Sequence, residues 1–279
     1  MFIFARKKIF KFIGLYALVS VVCVIVVFPF YWMVLSSLTP QQIFEPDASL
    51  FTLELSGKGY IDAFAKYSLS RWLFNSSLVA IASVFFSIVI SCFAAYGLSR
   101  FNYTGRFAFT TLLIVTQMIP FAVWIIPLYV IFRDLHLLNS LVGLVVAYIT
   151  FAIPLCTLLL KGFFDIIPKE LEEAALIDGC GRIGGFLRVV LPIALPGIAV
   201  TSLFAFLQAW NEYVFAATLL QNSQKYTVSI GLYMYIGEFT VDWISLLAAS
   251  VVITIPTFVV FVFVQKGLIK GIGAGALKG

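Results

Sequence analysis

The chain has 279 residues, 62% of them hydrophobic and 11% charged, with a formal net charge of +5 and a mean hydropathy of +1.07. A soluble domain carries roughly 25% charged residues, so this composition excludes a water-facing globular surface over most of the molecule. The basic residues are dispersed between apolar runs instead of clustered, a distribution that fits membrane orientation and argues against a nucleic-acid partner.

A helix needs about 20 apolar residues to cross the hydrocarbon core of a bilayer, and six such runs follow one another along the chain. The first, Ile13 to Ser36, comes after Arg6, Lys7, Lys8 and Lys11. It is longer than the apolar stretch of a signal peptide and no small-x-small site follows it, so it is expected to be retained as a span. The segment from Thr39 to Ser70 carries Pro40, Pro46, Gly57 and Gly59, with a short helix expected from Tyr60 to Tyr67. The remaining runs are Trp72 to Leu98, Phe107 to Phe132, Ser140 to Leu160, Ile193 to Leu220 and Trp243 to Val264. Only the fifth of the six holds an Asp, Glu, Lys or Arg, namely Glu212. The fold class expected is therefore an all-α integral membrane protein of six transmembrane helices, with residues 1–279 forming a single domain.

Lysine and arginine set the orientation. With the N-terminus inside, the cytoplasmic segments hold the N-terminal cluster, Arg100 and Arg106, then Lys161, Lys169, Arg182 and Arg188, and Lys266, Lys270 and Lys278 of the tail. The external side holds fewer: Lys58, Lys66, Arg71, Arg133 and Lys225. Both termini are expected in the cytoplasm. Pro29, Pro120, Pro127, Pro154, Pro192, Pro196 and Pro256 lie within or beside the spans. Each removes a backbone donor and tends to bend its helix, and the freed carbonyl must be satisfied inside the protein or in a wet cavity. Several bent helices suit a bundle that encloses a pathway, although for any one proline a packing kink is the plainer reading.

The connection between the fourth and fifth runs carries the most information. Pro168 stands near a helix start, and Glu170, Glu172 and Glu173 fall in the early turns, where carboxylates complement the helix dipole. Asp178-Gly179 supplies a stop, and a second short helix follows. Ala174 and Ala175 leave a face without bulk that another backbone can approach. A small-faced acidic helix reads as a docking knob. Lying on the inner leaflet is the alternative, which three glutamates in four positions oppose.

The same residues resemble the E-A-A loop of permease subunits in ATP-binding-cassette importers, whose pattern is E-A-A-x3-G-x9-I-x-L-P. Here Glu173-Ala174-Ala175 is followed at the same spacings by Gly179, Val189, Leu191 and Pro192. Val189 departs conservatively from the pattern, and Cys180 stands where alanine is usual. The resemblance implies the type I importer permease fold, with cytoplasmic coupling helices between spans four and five. It also implies that Glu173, Ala174, Ala175, Asp178, Gly179, Leu191 and Pro192 couple the chain to a cytoplasmic ATPase. The C-terminal segment from Gln265, glycine-rich at Gly271, Gly273, Gly275 and Gly279, resembles the tail of the smaller permease subunit of maltose-type sugar importers. By that resemblance Gly275, Lys278 and Gly279 touch the ATPase subunits, and the Trp210-Asn211-Glu212-Tyr213 stretch is similar to one common in such subunits.

Partners follow from the same resemblance: a second permease subunit in a heterodimer, two ATP-binding subunits, an external solute-binding protein and the bilayer. The chain has no G-x-x-x-x-G-K-[ST] loop of its own, so ATP and Mg belong to the partners and no cofactor is expected here. For Glu212 two readings stand. It bonds a neighbouring helix, or with Asn211, Trp210 and Tyr213 it lines the path or its outer gate, since aromatic faces and amide or carboxylate groups bind sugars. Gln117 with Pro120, and Trp124 with Pro127, mark the third run as another candidate wall, with interhelical bonding as the plainer alternative. The Thr39 to Ser70 segment is a candidate contact for the binding protein.

The function expected is uptake of a sugar by alternating access, with a non-sugar solute such as glycerol phosphate as the alternative within the class. A secondary transporter or channel is the competing class, for which a lone Glu212 and the lack of a glycine filter are poor equipment. A membrane enzyme needs a catalytic constellation. His136 is the only histidine, and Cys23, Cys92, Cys156 and Cys180 form no spaced framework, so neither a metal centre nor a nucleophile site is expected.

Overall fold

A computed structural model describes residues 2–39, 55–237 and 239–276. Among them every regular element is helical, and the one β-pairing is an isolated antiparallel bridge between Ile236 and Val241. In chain order the helices are α1 (Phe2–Leu38), α2 (Lys58–Ala65), α3 (Leu69–Arg100), α4 (Arg106–Met118), a 3₁₀ turn Phe121–Trp124, α5 (Ile125–Asp134) and α6 (Leu141–Ile166). There follow α7 (Glu170–Ile177), α8 (Arg182–Gly185), a π-helical turn Phe186–Val190, α9 (Leu191–Ile193), α10 (Leu195–Asn211), α11 (Val214–Leu219), α12 (Val228–Gly231) and α13 (Trp243–Ala276).

Among the described residues, four helices are long and apolar enough to cross a membrane: Gly14–Leu38, Leu69–Arg100, Leu141–Ile166 and Trp243–Gln265. Two bent pairs bring the number to six if each counts as one span. Phe107 to Phe132 was expected to be one helix, but α4 and the following helical stretch Phe121–Asp134 meet at 96°. The cause is local. Pro120 has no N–H to give and its ring drives Ile119 out of the helical region, so Ile119 sits at ψ 124° and Pro120 at ψ 132°. The fifth run, Ile193 to Leu220, starts at a 76° bend between Arg182–Ile193 and Leu195–Asn211, and inside it the backbone breaks at Glu212, which has ψ 127°. The sixth helix runs past Val264 into the glycine-rich tail as far as Ala276.

The chain divides into two compact units, residues 1–67 with 234–252 and residues 68–233 with 253–279. In the first, the Ser37 hydroxyl and the Tyr60 phenol hydrogen-bond at 2.7 Å, joining α1 to α2. The Tyr67 ring lies 4.1 Å from that of Tyr235, and its hydroxyl donates to Asp242 at 3.4 Å. Burial, with the Asp242 carboxylate beside it, pushes the Tyr67 phenol above its usual range.

The second unit is built around α3 and α6, with α10 packed on both. Hydrocarbon gives apolar helices no reason to leave lipid for one another, so close backbone approach through small residues has to hold them together. On α3 the buried residues Ser83, Ser87, Ser91 and Ala95 recur every fourth position, and the Ser91 hydroxyl reaches the Ile153 carbonyl of α6 at 3.3 Å. Gly197 brings α10 against the Phe163 ring of α6 so closely that a Cβ there would overlap it. At its N-terminal end α3 grips the chain after α11. Asn75 donates to the carbonyls of Gln224 and Tyr226 at 3.0 and 2.9 Å, Trp72 donates to that of Ser223 at 3.3 Å, and Ser76 accepts from the Val228 amide at 2.8 Å.

Candidate functional site

The segment between α6 and α10 folds as its residues dictate. Glu170, Glu172 and Glu173 occupy the first turn of α7, against the positive end of its dipole. Gly179 ends the helix at φ 86°, a left-handed conformation that only glycine adopts cheaply, and the Cys180 amide closes back on the Ala175 carbonyl at 3.0 Å. After Arg182–Gly185 the wide π turn sets Phe186 and Val190 into one cluster with Cys92, Ala95 and Tyr96 of α3 and Leu160 and Phe164 of α6. Such turns are rare and concentrate at functional sites. Leu191 packs against the same cluster and Pro192 is exposed, so both stand just before the 76° bend.

The helix α7 has two unlike faces. Glu170, Glu173, Ala174, Ile177 and Asp178 are exposed, and Ile177 retains 87% of its accessible surface. Ala175 is half-buried, and Glu172 is the only buried residue of the helix. Its carboxylate accepts from the Arg100 Nε at 3.0 Å and from the Tyr96 hydroxyl. The side chains of Arg100 and Glu172 keep 6% and 10% of their surface. Arg100 also donates through Nη2 to the Ile167 carbonyl at 3.0 Å, and Ser99 beside it donates to Asp165 at 2.7 Å. Across the glycine break, the Arg182 guanidinium lies 5.2 Å over the Phe101 ring. A cavity of about 290 Å³ opens next to this cluster between Asn102, Lys169, Glu173 and Leu176.

A second site forms where α4 breaks. A cavity of about 260 Å³ is lined by Thr116 to Phe121, Trp124, Phe151 and Gln208. Irregular backbone at membrane depth is tolerated where it lines such a space. Adjoining pockets extend it along Leu128, Thr150 and Pro154, and inward through a narrow gap of about 10 Å³ between Ser83, Tyr148, Ala205 and Glu212.

Glu212 has its oxygens taken. It accepts from the Tyr148 hydroxyl at 2.7 Å and from the amides of Phe215 and Ala216 at 2.8 and 3.0 Å, capping the start of α11. Its own carbonyl accepts from Ser229 at 2.6 Å. Among the other residues expected on the path, Gln117 is exposed and lines the cavity at the α4 break. Trp210 is buried and stacked on Phe206 at 5.4 Å. Tyr213 stacks on Tyr233 at 4.6 Å, and the Asn211 amide donates to the Leu207 carbonyl of its own helix at 2.9 Å. The structure thus joins Gln117 with Trp124 and Gln208, and leaves Trp210, Asn211 and Tyr213 outside that lining.

Of the tail residues, Gly275 falls in the last turn of α13, while Lys278 and Gly279 lie outside the described residues. Sequence reasoning missed Gln208, although it stands four positions before Glu212 on the same helix face. It also missed Glu172, whose helical neighbour is Ala175, the less exposed of the two alanines.

Residues 87–274 match the family described as binding-protein-dependent transport system inner membrane component, and the chain belongs to that family. It is a transmembrane permease of an ATP-binding-cassette importer, not a secondary transporter. Among its relatives is the sulfoquinovosyl glycerol transport system permease protein SmoH of Agrobacterium fabrum, 37% identical, with 93% of this chain and 92% of that protein covered. The diacetylchitobiose uptake system permease protein DasC of Streptomyces coelicolor is 35% identical over 91% of this chain and 92% of that one. A chain from a bacterial ABC transporter that imports the acidic polysaccharide alginate shares the fold, with a TM-score of 0.80 at 21% identity, covering 94% of this chain and 97% of that one.

Proposed function

We propose that this chain forms half of the translocation pathway for a carbohydrate and is driven by separate ATPase subunits that grip α7. The supporting observation is the two-faced helix. Glu173, Ala174 and Gly179 of the E-A-A pattern stand exposed, as does Asp178 between them, while Glu172 on the opposite side is tied to Arg100. A cleft in a partner meets an acidic knob with a small face, with Ile177 its most exposed apolar side chain and Leu171 and Leu176 exposed beside it. In this reading α1, α3, the α4–α5 pair, α6, α10 and α13 are the six crossings, with α7 and both termini in the cytoplasm, an orientation that the lysine and arginine asymmetry supports. The remaining parts are a second permease chain, two ATP-binding subunits that hold ATP and Mg, and an external solute-binding protein.

Carbohydrate is favoured over glycerol phosphate by the relatives named for sulfoquinovosyl glycerol and diacetylchitobiose, and by the cavity at the α4 break. Gln117 and Gln208 offer amides to hydroxyls there, beside the rings of Phe121, Trp124 and Phe151. Glu212 then acts on the path indirectly, by fixing the turn at the cavity's inner edge.

Cysteine placed at Ala174 should cross-link to the ATPase subunit in the assembled importer, and its failure to do so in any nucleotide state defeats the docking reading. Gln117→Ala and Gln208→Ala should each lower sugar uptake with assembly intact. Undiminished uptake by both removes this cavity from the path.

A further inference from the structure

The attachment of α7 is unusual because the one buried residue of the helix is charged. Apolar side chains at that position would slide and repack under load. A guanidinium–carboxylate pair fixes both distance and direction. We infer that Arg100, Glu172 and Tyr96 form a clasp that transmits movement of the docking helix into α3, with Arg100 the positioning residue that orients Glu172. The inference rests on the docking reading of α7.

Three observations carry it. Among the described residues both partners of the Glu172 carboxylate come from one element: Tyr96 and Arg100 lie one turn apart near the C-terminal end of α3. The second short helix is held at the same place, since Arg182 covers Phe101, and Phe186, just after it, packs 4.4 Å from the Tyr96 ring. The third is the shape of α3 itself. It contains no proline and runs unbroken from Leu69 to Arg100, about 48 Å at 1.5 Å per residue. Its far end holds the segment Ser223–Val228 through Trp72, Asn75 and Ser76. Gly231 lies against the Trp72 ring with no room for a Cβ. The helix is therefore a rod fastened at one end to the knob and at the other to the chain beyond Glu212. Stability alone does not account for the clasp, because a buried ion pair gives little or no net stability over well-packed apolar residues of similar size.

The complete importer, reconstituted in proteoliposomes with its partner subunits and binding protein, tests this by solute moved per ATP hydrolysed. Three variants are compared: Glu172→Gln, Arg100→Lys, and the paired Arg100→Met with Glu172→Met, which removes the clasp without stranding a charge. Each is made with and without cysteine at Ala174, and cross-linking to the ATPase reports docking. The expected result is that the paired variant docks and hydrolyses ATP while transport per ATP falls about tenfold. Glu172→Gln should fall severalfold, and Arg100→Lys should recover most of the ratio. A paired variant with the parental ratio overturns the inference. So does a parallel loss of cross-linking and transport, which would make the clasp a folding contact only. Absence of the cross-link in the parent protein would instead defeat the docking reading, leaving the two failures distinguishable.

Discussion

Two glutamates in this apolar chain are withdrawn from water by different means. Glu172 is met by a side-chain cation from another helix, so its partner lies 72 positions away in sequence. Glu212 is met largely by its own neighbourhood, two amides three and four residues on, with Tyr148 as the one distant donor. The first arrangement ties one element to another, whereas the second shapes a turn. Both carboxylates have their oxygens engaged by donors. Beside each stands an exposed polar residue: Glu173 next to Glu172, and Gln208 one turn before Glu212.

The comparison is broken most severely at Arg100. Arg100→Ala leaves Glu172 buried without its cation and should cost about 3–5 kcal/mol, read as a fall in thermal unfolding midpoint relative to the paired methionine variant. If the two variants unfold together, the pair is less buried than the geometry shows. Next is Gly179→Ala, which forces a Cβ into a left-handed conformation at about 1–2 kcal/mol. It should loosen the end of α7, seen as faster amide exchange at Asp178 to Gly181. Glu212→Ala removes a cap and should cost about 1 kcal/mol, with uptake reduced and ATPase assembly preserved. Normal uptake in that variant would end any role for Glu212 at the pathway. The smallest stability effect belongs to Glu173→Ala, within about 0.5 kcal/mol at an exposed site. Its ATP-driven uptake should nevertheless fall. Stable but uncoupled at 173, and unstable when a charge is stranded beside 172, is the contrast that separates the two faces of α7.

Much of this was legible in the residues. The apolar runs, the short helix (expected at Tyr60 to Tyr67, found at Lys58–Ala65) and the Gly179 stop all rest on local chemistry: hydropathy, dipole-favoured carboxylates and a left-handed glycine. The spacing from Glu173 to Pro192 led to the family by resemblance. The break at Ile119–Pro120 was half legible, since the proline was visible but its effect was not. Inside a helix proline can bend the chain slightly or turn it through 96°, and neighbouring packing decides which.

What the sequence by itself determined is therefore which stretches are helical and apolar, and where a short acidic helix ends at a glycine. Tertiary structure decided which of three near-adjacent glutamates faces inward, because a helix turns by 100° per residue and only the end of α3 supplies Arg100 and Tyr96 to receive one of them. It likewise brought Gln117, Trp124 and Gln208 around one cavity, from two runs separated by about 90 positions, a meeting that no local pattern encodes because it depends on how bent helices pack.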